Sequence, residues 1–60
     1  MSNQTKIEAC NMVNRLIKIH GKNSKVIRLR ILDIVNSEYY HCSNTYVTAM
    51  WDEYNSIFPS

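Results

Sequence analysis

A chain of 60 residues is a single domain at most, taken here as 1–60, and at this size only about 60% of the surface exposed by the unfolded chain is buried. An apolar fraction of 45% is too high for a disordered tail, and no apolar run approaches the roughly 18 residues of a membrane span, so no membrane partner is expected. The net charge of +2 hides an asymmetry: all seven basic residues and a single acid, Glu8, lie in the first half, whereas Asp33, Glu38, Asp52 and Glu53 occupy a second half without Lys or Arg. Such a dipolar chain fits either a basic patch for an anionic partner or attraction between oppositely charged subunits.

The first predicted element starts at Thr5. "TKIE", Thr5 to Glu8, matches a capping box, in which hydroxyl and carboxylate each satisfy a backbone amide at the helix start. Ala9, Met12, Val13, Leu16, Ile17 and Ile19 then cover about half of a wheel drawn at about 100° per residue, with Asn11, Asn14, Arg15 and Lys18 on the other half. Gly21 suits a left-handed closure of this helix. "KNS", Lys22 to Ser24, is a connection of the length usual between packed helices, with Asn23 or Ser24 as the next cap.

"VIRLRILDIV", Val26 to Val35, is the most apolar stretch of the chain. Ile27, Leu29 and Ile31 alternate with Arg28 and Arg30 as in a half-buried strand, but no second alternating run exists to pair with it, so a helix is expected. Its apolar residues spread over most of the wheel, which predicts a hub that the other helices surround. Tyr39, Tyr40, His41 and Cys42 form a junction, and Ser43 or Asn44 can cap a third helix. There Tyr46, Val47, Met50, Trp51, Tyr54, Ile57 and Phe58 form one arc, opposite Thr48, Asp52, Glu53, Asn55 and Ser56, and Pro59 stops it. The expected fold is all-α, a small three-helix bundle in which a helix-turn-helix-like arrangement is possible.

Chemistry is sparse in this pattern. Cys10, His20, His41 and Cys42 are metal-ligand types, but structural zinc sites draw ligand pairs two to four residues apart, and adjacent His41 and Cys42 converge poorly on one ion. No metal or other cofactor is expected. Cys10 and Cys42 are read as free thiols that pack as small hydrophobes. Pairing either with a histidine for nucleophilic catalysis needs convergence in a pocket, for which a bundle this small has little room. Asp52 and Glu53 diverge on a helix and make a poor acid/base pair. A lone glycine in the chain body builds no phosphate loop. No enzyme is expected. The N-terminus lacks a basic start followed by an apolar run, so the expected location is cytoplasmic.

Two binding readings remain. Lys18, Lys22, Lys25 and Arg28 cluster around the first turn and can face phosphates, as in a small dimeric DNA-binding regulator. A recognition helix placed third, however, would carry Asp52 and Glu53 and no base toward DNA. Arg28, Ile31, Leu32, Val35, His41, Ser43 and Val47 resemble the stretch preceding the recognition helix of ferric-uptake-regulator winged-helix proteins, from which Asn44 and Thr48 depart. No site or activity is carried over from that resemblance.

The leading expectation is a stand-alone protein-binding modulator, an inhibitor or adaptor of the kind that phages and mobile elements encode. Tyr39 and Tyr40 with an edge of the first helix would supply an apolar and aromatic contact to a host or cognate protein. Arg15, Lys18, Lys22 and Lys25 would steer the approach. A homodimer is compatible with this reading and would support a small core.

Overall fold

The structure, a computed structural model, describes the backbone of residues 2–37 and 41–59 and the side chains of residues 4–37 and 41–59. Three helices account for most of them: α1 (Ser2–His20), α2 (Ser24–Asn36) and α3 (Asn44–Ile57). No strand occurs among the described residues, so Val26 to Val35 is helical, as the missing pairing partner required.

Backbone satisfaction at the ends explains most of the boundaries. Gly21 takes φ +89°, and its N–H donates to the Ile17 carbonyl at 2.8 Å, closing α1 in a left-handed cap that residues with a Cβ adopt only with strain. Asn23 caps α2: its Oδ1 accepts from the amides of Lys25 at 3.1 Å and Val26 at 3.2 Å. Ser43 caps α3 through Oγ, which accepts from the Tyr46 amide at 3.2 Å. At the far end of α3 the Phe58 N–H donates to the Tyr54 carbonyl at 2.8 Å, just before Pro59.

The start of α1 differs from the expectation. The helix begins at Ser2, a turn ahead of Thr5, and Thr5 is half-buried within it. Nothing in Ser2–Gln4 breaks a helix, so the capping-box pattern falls in its interior, where Thr5 and Glu8 are simply neighbours one turn apart.

The core is formed by Ala9, Val13 and Leu16 of α1, Ile27, Ile31 and Ile34 of α2, and Ala49 and Met50 of α3. Val13, Ile27, Ile31 and Met50 are fully buried, and each such side chain contributes about 1.5–3 kcal/mol by leaving water. Met12, Ile17, Val35, Cys42, Tyr46, Trp51, Tyr54, Ile57 and Phe58 pack around this centre. No polar or charged side chain is buried among the described residues.

The expected hub is not α2. The most extensive packing is between α1 and α3, and α2 covers one side of that pair. Tyr46 lies across an open groove from Thr5, Glu8 and Met12 on one edge of α1, while Glu53 reaches Asn14 and Cys10 on the opposite edge, so α3 lies across the apolar face of α1. Two neighbours on one side cover only one face of α2, and Leu29 and Leu32 stay outside, 62% and 36% exposed. Ile19, expected in the buried half of α1, is 65% exposed; at about 100° per residue it lies roughly 90° around the helix from the Ala9, Val13 and Leu16 stripe. Tyr54 Oη donates to the Ser24 carbonyl at 3.2 Å and ties the end of α3 to the start of α2.

Candidate interaction surface

The charged end of the bundle is built by the α1–α2 turn. Arg15 and Lys18 project from the last turns of α1, Lys22 lies in the turn, and Lys25 and Arg28 follow on α2; all five are exposed. None has an ion-pair partner among the described residues, where one loose pair occurs, Arg30 to Asp33 at 3.9 Å. Lys18 sits at the negative end of the α1 dipole, which favours it. Lys25 sits in the first turn of α2, which carries no acid to offset it. The neutral amide of Asn23 satisfies the backbone there without cancelling charge. The result is a run of exposed cations on both sides of the α1–α2 turn, with exposed Ile19 beside Lys18.

Tyr39 and Tyr40, expected to anchor a partner, lie outside the described residues. The remaining aromatic residues line α3 as part of the packing: Trp51 meets Tyr54 edge-on with centroids 5.6 Å apart, and Tyr54 meets Phe58 at 5.2 Å and 45°. Trp51, Tyr54 and Phe58 are half-buried against the core.

Two features were not read from the sequence. An open groove of about 600 Å³ lies between α1 and the start of α3, lined by Thr5, Glu8, Asn11, Met12, Arg15, His41, Cys42, Ser43 and Tyr46. The expectation that a bundle this small has little room for such a space is thereby corrected: the surface between α1 and the segment that leads into α3 is concave and open. His41 and Cys42 both border the groove, with carboxylate and guanidinium groups from Glu8 and Arg15 on its α1 side.

The other feature is a polar clasp on the opposite edge of α1. Asn14 Nδ2 donates to the Cys10 carbonyl at 2.8 Å and to Glu53 Oε2 at 2.9 Å. The Cys10 thiol also hydrogen-bonds to Glu53. Burial above all, and then the charge of Glu53 and that hydrogen bond, push the thiol pKa up, against a smaller opposing influence of Lys6. Glu53, expected on a solvated face beside Asp52, therefore bridges α3 to α1, while Asp52 is exposed. Both cysteines are free. His20 lies ten residues along α1 from Cys10, about 15 Å by helical rise, so the two do not form a nucleophile–base pair.

Among the described residues no three His, Cys, Asp or Glu side chains gather as a metal site, and no helix is long and apolar enough to cross a membrane. No protein-family model, curated protein or solved structure matches the chain.

Proposed function

We propose that this protein is a small binding module that docks onto another protein and modulates it, with its positive end steering approach and an exposed apolar residue anchoring the contact. The observation that supports this is the position of Ile19, 65% exposed beside Lys18 with Arg15, Lys22 and Lys25 around the same end, all cations without ion-pair partners among the described residues. An apolar anchor within a charged rim is the usual composition of a protein contact. Long-range attraction to an acidic partner would raise the association rate most at low ionic strength.

The same cations favour a second reading, contact with nucleic-acid phosphates as a dimeric regulator, because Lys18, Lys22, Lys25 and Arg28 are exposed together at one end. Capture from nuclease-treated host lysate on the tagged protein, at about 50 mM and about 500 mM salt, separates the two. A single host protein retained at both salt concentrations and lost with Ile19→Asp is the expected outcome. Retention of nucleic acid from untreated lysate, abolished by salt and weakened by Lys22→Ala, with no protein retained, would replace the first reading by the second.

A further inference from the structure

The outer face of α2 carries two leucines, one turn apart, that the core does not use. Lys25, Leu29, Leu32 and Asn36 are spaced by four, three and four residues and fall within about 60° of one another on a wheel of about 100° per residue. They lie opposite Ile27, Ile31 and Ile34, which fill the core. Spacing of this kind is the seam of a two-helix coiled coil, in which paired leucines meet across the interface and flanking charges select partner and orientation. Leu29 and Leu32 are exposed, and Asn36 follows as the next seam residue. Arg28 immediately precedes Leu29 on one flank, and Asp33 immediately follows Leu32 on the other.

We infer that this face binds a second copy of the chain, with the two α2 helices parallel and related by a two-fold axis. Leu29 then meets Leu29 of the second copy, Leu32 meets Leu32, and the Asn36 amides pair at the C-terminal end, a polar seam contact that fixes register. Across a parallel seam, a flanking residue meets the one five positions further along the other helix. Arg28 of each copy therefore faces Asp33 of the other, giving two symmetric ion pairs. An antiparallel arrangement forms neither, because it sets Arg28 beside the flank of Val35 and Asp33 beside that of Val26. Within one chain Asp33 is only loosely held by Arg30, at 3.9 Å with both side chains half or more exposed, so it is available to Arg28 of a second copy. Lys25 lies at the open end of the seam, where it keeps its water. The parallel arrangement also places the two positive ends side by side.

A seam of barely two turns buries less than a standard interface, so the dimer is weak, with a dissociation constant on the order of 10–1000 µM. Sedimentation equilibrium of the whole chain tests this, with circular dichroism used to verify that each variant keeps its helices. The mean mass of the wild type should rise from 7.1 kDa toward twice that value between about 10 µM and about 1 mM. Leu29→Asp, or Leu29→Gln if the aspartate reduces helicity, should stay at 7.1 kDa throughout. Arg28→Asp and Asp33→Arg should each weaken association about tenfold, and an equimolar mixture of the two should recover it, since each then offers the charge that the other lacks. A wild type that remains monomeric at about 1 mM, or a dimer that survives both Leu29 substitutions, overturns the inference. A mixture of charge variants that associates no better than either alone overturns the parallel arrangement on which it rests.

Discussion

Cys10 shows how a small, half-buried group acquires its chemistry from one neighbour on another helix. Its thiol is kept protonated by desolvation and by Glu53, which repels the thiolate and accepts the thiol proton in a hydrogen bond. Glu53→Gln removes the repulsion and leaves the burial, so the pKa should fall part of the way back, and alkylation of Cys10 by iodoacetamide at pH 8 should speed up a few-fold. Peptide mapping of the modified chain reads this site by site; an unchanged rate would mean that burial alone sets the thiol's behaviour. The sign of the linked stability effect follows. A thiol pKa that is higher in the folded than in the unfolded chain means that, above the ordinary thiol range near about 8.5, the unfolded chain loses its proton first. Stability is therefore unaffected by this group below that range and declines as the pH rises through it toward the folded value. The turn at Gly21 was legible in the sequence, and the caps at Asn23 and Ser43 to within one residue, because each depends on one residue and the adjacent amides. The role of Glu53 was not, because a helical wheel gives the direction of a side chain but not where another helix crosses.

Among the elements, α2 is the one whose role differs most from its composition. Its apolar richness suggested a helix surrounded on all sides, yet only Ile27, Ile31 and Ile34 are buried, and Leu29 and Leu32 are not. Counting apolar residues cannot distinguish a buried hub from a helix with two separate apolar faces, one for the core and one outside it. Substitution distinguishes them. Ile31→Ala should cost about 2–5 kcal/mol through lost burial and a cavity, against a total of about 3–9 kcal/mol for a chain of 60 residues. Leu32→Ala, at low protein concentration, should cost less than about 1 kcal/mol. Urea denaturation followed by the emission of Trp51, the sole tryptophan, measures both; equal costs would put the outer face of α2 inside the core. Comparable logic covers α1, whose exposed Ile19 was assigned to the core because it falls at the edge of the apolar arc, where a wheel does not say which side chains a neighbour covers.

At the scale of the whole molecule, the class of fold was legible from period alone, since three amphipathic runs separated by Gly21 and the capping residues admit few other arrangements. The cations of the candidate surface were legible too, because Arg15, Lys18, Lys22, Lys25 and Arg28 all fall away from the buried stripes. The groove was not, since it is lined by α1 residues and by residues 41–43 and Tyr46, which only tertiary packing brings together and no local pattern encodes. Tyr39 and Tyr40 lie outside the described residues, so the proposed contact rests on Ile19 and the cations. Because α1 and α3 make the principal packing, a fragment ending after α2 lacks the partner for most of its apolar surface. A peptide of residues 1–37 should therefore be largely unstructured by circular dichroism, and adding α3 as a separate peptide should raise its helicity; a cooperatively melting 1–37 fragment would contradict that division of the core.

The same division bears on how the protein comes into being. Its main interface joins α1 to α3, so the contacts that define the fold are of long range along the chain and close only when α3 is present. Before Ala49 and Met50 are in place, Ala9, Val13 and Leu16 have only the isoleucines of α2 to pack against. Docking of α3 is thus the step that closes the core, and until it happens the chain carries uncovered apolar surface of the kind that invites misassociation.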